Sequence, residues 1–325
     1  MIIAYILLLI AGFIALVRGA DWFVGGSSAL ARRFHVPSLV IGLTIVAMGT
    51  SAPELAVSTA AAIQGANEIA LSNVVGSNIF NLMVVLGLCA VLHPVPTDRS
   101  VLIRDFPISI AATIAVLLGS AAPAIFAGNI WAMRSPDTVG SVSRPLAILL
   151  LLGFIVYITY LVMDARRHPQ QEDVPEQTSI GRSIAMIVVG LALIVAGGEA
   201  VVASAKAIAH MAGMSETLIG LTIVAVGTSL PELVTSVVAA KKGETGLAVG
   251  NVIGSNVMNL LFVLGLSAAI HPIGINLASV FDLLILTAAS FLTFVFLYTV
   301  RRIDRWEGAV MLGLYILDVV YAIIR

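Results

Sequence analysis

The sequence predicts an all-α membrane protein of ten transmembrane helices, arranged as two inverted five-helix repeats. Three observations carry this. Of the 325 residues only 11% are charged and 59% are hydrophobic, whereas a soluble domain carries about 25% charged residues. Apolar runs long enough to cross a bilayer recur along the chain. One 54-residue segment occurs twice, without a gap.

The mean hydropathy of +1.07 names lipid as the main solvent. A helical span needs roughly 17–25 residues. On that ruler the spans run over 2–20, 39–63, 69–92, 104–127, 143–163, 183–205, 216–240, 246–270, 279–299 and 306–324. The long polar stretch 164–182 holds two prolines and charges of both signs. It reads as a linker between a first repeat, 1–163, and a second, 183–325. The apolar run from Ile2 to Val17 has no basic stretch before it and no convincing cleavage site, so it reads as a retained helix.

Basic residues set the orientation. Arg32, Arg33, Arg99, Arg104, Arg166, Arg167, Arg182, Lys241, Lys242, Arg301, Arg302 and Arg305 fall on one side of the predicted topology, 12 of the 17 Lys and Arg. Arg134, Arg144, Lys206 and Arg325 fall on the other, and Arg18 lies within the first span. The linker is therefore expected in the cytoplasm and both termini outside, in the cell membrane. Trp22, Trp131 and Trp306 sit at predicted interfaces, as do His93 and His271. Asp21 and Glu199 fall near span ends, where a solvated helix end competes with a place at an ion entrance. Asp282 and Asp318 receive no role. The net charge of −1 points to no nucleic-acid partner, and the single Cys89 allows no intrachain disulfide. Zinc-type Cys/His spacing is absent from the sequence. No cofactor and no obligate protein partner are expected; the bilayer is the partner, and a monomer suffices.

Residues 41–94 align with 219–272 at a constant offset of 178, and 32 of the 54 positions are identical. The first copy contains "IGLTIVAMGTSAPELAVS" and "SNVVGSNIFNLMVVLG"; the second contains "IGLTIVAVGTSLPELVTS" and "GNVIGSNVMNLLFVLG". A duplicated scaffold without a site is the plain alternative. Five helices per copy is an odd number, so the second copy enters the membrane inverted. Inverted repeats recur in secondary transporters, with the site near the bilayer midplane.

Glu54 and Glu232 occupy equivalent mid-span positions. A charge at the bilayer centre costs at least ~2.5–3.5 kcal/mol, and no basic residue lies nearby in either span. Protons or bound cations must neutralise the pair; protonated glutamates acting as interhelical glue are the alternative. Ala47, Thr50, Ser51 and Glu54 share one helix face, and Ala225, Thr228, Ser229 and Glu232 repeat it. Asn73, Ser77 and Asn81 line up at four-residue spacing, as do Asn251, Ser255 and Asn259. Carboxylate, hydroxyl and amide oxygens are what hard cations such as Ca²⁺ take. Pro53 and Pro231 lack an amide hydrogen and crowd the carbonyl four residues back. This makes the carbonyls around 47–50 and 225–228 candidate ligands, unless these are ordinary proline kinks. Ser72 with Gly76, and Gly250 with Gly254, are small-xxx-small pairs suited to close helix packing.

"GTSAPE" with "GSNIFN", and "GTSLPE" with "GNVIGSNVMN", resemble the two alpha-repeats of the cation/calcium antiporter superfamily, with prokaryotic sodium/calcium exchangers nearest in pattern. The resemblance covers the whole chain. It implies Ca²⁺ and Na⁺ as transported ions, bound between helices two, three, seven and eight. The acidic ligands it implies are Glu54 and Glu232. The further ligands are Thr50, Ser51, Ser77, Asn81, Thr228, Ser229, Ser255 and the Ala47 and Ala225 carbonyls, with Asn259 at the position where several relatives, potassium-dependent exchangers among them, carry aspartate. Helices one and six would slide as gates. Only two carboxylates then face the site, which speaks against potassium co-transport and for exchange that moves net charge. The expected activity is Na⁺/Ca²⁺ antiport by alternating access, not enzymatic catalysis. H⁺/Ca²⁺ exchange, an intramembrane enzyme and a passive channel are the competing classes.

Overall fold

The computed structural model describes residues 2–126, 138–167, 179–214 and 225–324. Its surface is inside-out relative to a soluble protein. Ile3 and Val156 are 70% and 68% exposed, while Glu54 and Glu232 are completely buried. Apolar side chains facing outward and polar ones inward are what a lipid solvent selects.

The helices are α1 (Ile2–Arg33), α2 (Ser38–Thr50), α3 (Ala52–Ile63), α4 (Ile69–Leu92), α5 (Val101–Ala122), α6 (Arg144–Arg167), α7 (Ile180–Met211), α8 (Leu230–Lys241), α9 (Thr245–Ile270), α10 (Leu277–Val300) and α11 (Arg305–Ile324). Among the described residues eight of these are long and apolar enough to cross a membrane. The pair α2–α3, bent by 49°, makes a ninth crossing if it is one span. Of the expected seventh span, 216–240, the part 216–224 lies outside the described residues, as do Trp131, Arg134 and most of the linker.

Two expectations are corrected. The first and sixth spans are not 2–20 and 183–205 but helices of 32 residues each. At 1.5 Å per residue that is roughly 48 Å, well beyond a hydrocarbon core of about 30 Å. The polar tail "GADWFVGGSSALARR" stays helical because it packs on protein: Phe23 and Val24 are fully buried. Asp21 is consequently inside α1, not at its end, and its carboxylate meets Lys242 Nζ at 2.7 Å. The chain is also not helical throughout its described parts. Short antiparallel ladders join β1 (Val95–Pro96) to β4 (Arg302–Ile303) and β2 (Thr138–Val142) to β3 (Ile273–Asn276). Each clips a loop of one half of the chain to a loop of the other.

Helices α1 and α7 are repeat mates and run antiparallel in close contact. A Cβ on Gly12 would fall 3.0 Å from Gly197 O, one on Gly19 2.7 Å from Gly190 O, and one on Gly26 2.7 Å from Ser183 O. The small residues recur every seventh position on both helices, so one seam of each stays flush with the other. Helices α2 and α9 pack as closely but run parallel: Gly250 lies against Leu39 and Leu43, and Gly254 against Leu43 and Ala47.

Replacing Gly190 by Val should force α1 and α7 apart, since its Cβ would sit 2.6 Å from Phe23 N. Overpacking of this kind costs roughly 1–3 kcal/mol. Thermal melting of the detergent-solubilised protein should show a clear loss, whereas Gly313→Ala, with no atom within 4 Å of its added methyl, should melt at or above wild type.

Candidate cation site

The site begins with two broken helices. Pro53 and Pro231 each sit near the start of a helix, where the missing amide hydrogen costs nothing. The residues before them leave helical geometry: Ser51 has φ −82° and ψ 9°, and Ser229 has φ −93° and ψ 5°. Glu54 and Glu232 therefore fall in the first turn of α3 and of α8. The positive end of the helix dipole favours a carboxylate there.

The sequences Ser51-Ala-Pro-Glu54 and Ser229-Leu-Pro-Glu232 have the spacing of a capping box, yet neither serine caps its own helix. Each donates instead to the glutamate of the other copy. Ser51 Oγ donates to Glu232 Oε1 at 2.9 Å, and Ser229 Oγ to Glu54 Oε1 at 3.1 Å. Ser77 Oγ adds a bond to Glu54 Oε1 at 3.3 Å, and Ser255 Oγ one to Glu232 Oε1 at 3.4 Å. Thr50 and Thr228 reach across the halves as well, to Asn251 Oδ1 at 3.0 Å and Asn73 Oδ1 at 3.3 Å. Those asparagines brace the broken helices. Asn73 Nδ2 donates to the Glu54 carbonyl and to Ser58 Oγ; Asn251 Nδ2 donates to the Glu232 carbonyl and to Ser236 Oγ. Every bond in this network has a counterpart at the 178-residue offset.

Asn81 and Asn259 open short π-helical stretches, Asn81–Leu86 and Asn259–Val263. Such turns widen a helix locally and concentrate at functional sites. Their side-chain nitrogens are bonded, to Asn256 Oδ1 at 3.2 Å and Asn78 Oδ1 at 3.1 Å. Their side-chain oxygens are not. Asn81 Oδ1, Asn259 Oδ1, Glu54 Oε2 and Glu232 Oε2 are buried without a hydrogen-bond partner. Asn81 follows Ser77 by one turn, and Ser77 already touches Glu54, so the oxygens of one half belong to one neighbourhood. The other half repeats this through Ser255. Several buried hydroxyls are also unpaired, but a hydroxyl can rotate to a nearby carbonyl. An ionised carboxylate or amide oxygen only accepts. Four such oxygens together are satisfied by protons or by a cation.

Of the sequence-predicted residues, Glu54 with Ser77 and Ser229, and Glu232 with Ser255 and Ser51, form two hydrogen-bonded triads that each cross the repeat, and Thr50 and Thr228 bond Asn251 and Asn73 beside them. The Ala47 carbonyl is less available than the proline argument suggested: it accepts from Ser51 N at 3.0 Å and from Thr50 Oγ1 at 3.4 Å. Ala225 opens the short turn Ala225–Gly227. Asn78, Asn256, Ser58 and Ser236 join the network beyond the residues that the sequence singles out. Identity in both copies of the repeat was the signal that could have found them. Asp318 lines an apolar cleft of about 470 Å³ formed by α4, α10 and α11.

The sodium/calcium exchanger protein family model matches residues 4–163 and 182–324. The putative antiporter CaxA of Alkalimonas amylolytica is 38% identical over 328 residues, covering 97% of each chain. The sodium/calcium exchanger MaX1 of Methanosarcina acetivorans is 33% identical, again over 97% of each. A solved structure of the sodium-calcium exchanger NCX_Mj superposes with a TM-score of 0.82 at 31% identity, covering 98% of this chain and 99% of that one. With a duplicated carboxylate motif folded into one oxygen-lined cluster inside a bundle of apolar helices, the chain belongs to the sodium/calcium exchanger protein family.

Proposed function

We propose that this protein is a secondary antiporter that exchanges Ca²⁺ for Na⁺ across the cell membrane by alternating access. One observation carries the reading: four buried oxygens that only accept, two of them carboxylate, with no hydrogen-bond partner. Two charges held at membrane depth need a counter-charge. A single Ca²⁺ neutralises Glu54 and Glu232. Several Na⁺ in its place leave the site positive, so exchange moves net charge. The first coordination set is Glu54, Glu232, Asn81 and Asn259, with the hydroxyls of Ser51, Ser77, Ser229 and Ser255 turning from carboxylate to ion. Thr50, Thr228 and the Ala47 and Ala225 carbonyls complete it. All donors are oxygens, as hard cations require, and the protein needs no resident cofactor or partner subunit.

In this reading the chain has ten spans, five per inverted repeat, over 1–163 and 183–325. The cytoplasmic linker is 164–182 and both termini lie outside. Three contacts between basic regions support a common side. Arg32 pairs with Glu244 at 3.0 Å, beside Lys242. Thr97 N donates to the Arg301 carbonyl at 2.9 Å. Arg104 pairs with Asp164, near Arg166 and Arg167. The flush seam between α1 and α7 supports their role as a sliding pair of gates.

Glu54→Gln and Glu232→Gln keep an oxygen to accept from the serines but remove the charge. Each should abolish ⁴⁵Ca²⁺ uptake into proteoliposomes while the protein elutes and melts as a folded species; near-native uptake by either variant would refute the site. In everted vesicles a Na⁺ gradient should drive Ca²⁺ movement, sensitive to membrane potential. Flux that follows a pH gradient and ignores Na⁺ would replace this reading by H⁺/Ca²⁺ exchange, and the lack of counterflow would replace it by a channel.

A further inference from the structure

The orientation of the two site asparagines has a cause outside the ligand set. A carboxamide has one end that accepts and one that donates. Beside a cation the wrong end is repulsive. Asn81 and Asn259 both turn their oxygens to the unpaired side because their nitrogens are engaged elsewhere. Asn81 Nδ2 donates to Asn256 Oδ1, and Asn259 Nδ2 donates to Asn78 Oδ1. Those acceptors are themselves fixed. Asn256 Nδ2 donates to the backbone carbonyl of Asn78 at 3.3 Å, and Asn78 Nδ2 to the backbone carbonyl of Asn256 at 3.2 Å. A backbone carbonyl can only accept. It therefore sets the polarity of the bracket amide, which sets the polarity of the site amide. All four side chains are buried, so water cannot substitute for a lost partner.

We propose that Asn78 and Asn256 are positioning residues: crossed between the repeats, they hold the amide oxygens of Asn81 and Asn259 toward the transported ion. This rests on the cation-site reading given above. The bracket also joins α4 to α9 through backbone and side chain. These two helices then form the fixed member of the site, and each half orients a ligand of the other. An ion bound there contacts Asn81 and Asn259 but never Asn78 or Asn256.

Removing a group that orients a metal ligand typically weakens binding about 10–100-fold. Asn256→Leu, close to asparagine in size, should weaken Ca²⁺ binding by that range, read by isothermal titration calorimetry on purified protein whose melting is recorded alongside. A general packing defect could do the same, so the cycle is repeated with Asn81→Asp. A carboxylate presents an oxygen whichever way it turns. In that background the loss caused by Asn256→Leu should largely vanish. The mate cycle, Asn78→Leu with Asn259→Asp, tests the other half and serves if the first variant does not fold. Equal losses in both backgrounds, or no loss in the native one, overturn the positioning role. Wild-type protein that binds no Ca²⁺ overturns the cation site itself, and this role with it; wild-type binding with an unaffected Asn256→Leu overturns this role alone.

Discussion

Two carboxylates inside a membrane protein, with no basic residue bonded to either among the described residues, are the constraint on which the rest of the structure depends. Glu54 and Glu232 are fully buried, and each accepts from two serine hydroxyls. Isolated charge at that depth costs at least ~2.5–3.5 kcal/mol per residue. Each half supplies one serine to its own glutamate, Ser77 or Ser255, and takes the other from across the repeat. The serine that would cap each helix donates across the repeat instead. Neither copy of the motif is thus a site by itself, and the two halves must meet for one to exist.

The backbone is irregular where it serves this constraint. Proline and serine stop α2 and restart α3 so that a helix begins just before Glu54, and the same happens before Glu232. In α4 and α9 the disturbance is a π-helical turn starting at the site asparagine. Non-helical backbone within a membrane survives only where protein surrounds it. The braces from Asn73 and Asn251 to the glutamate carbonyls provide that surrounding.

Packing divides the molecule into a pinned part and a smooth part. Helices α4 and α9 are locked together by directional bonds between asparagines. Helices α1 and α7 meet along glycines whose Cβ atoms would collide, a seam with shape but few directional bonds. The two rims are not equivalent either. Lys242 and Glu244 pair with Asp21 and Arg32 of α1, yet their repeat counterparts are Gln64 and Ala66. Each exposed pair is worth about 0–1 kcal/mol, so this difference tunes one rim rather than holding the fold.

Much of this was legible in the sequence because its physics is local or duplicated. Hydropathy marked the chain as a bundle of apolar helices, and the offset of 178 exposed the repeat and with it Glu54 and Glu232. The length of α1 was not legible, because its polar tail is stabilised by burial against α7 and not by its own hydropathy. The capping-box spacing at Ser51 and Ser229 would have misled, since tertiary contact outcompetes the local cap. The Ala47 carbonyl is largely claimed by its own helix, which spacing alone could not reveal. Most of all, sequence can name an asparagine as an oxygen donor but cannot say which end of its amide faces the ion. Only the tertiary structure decides that, because the side chain that engages each site amide, Asn256 for Asn81 and Asn78 for Asn259, lies on the opposite repeat.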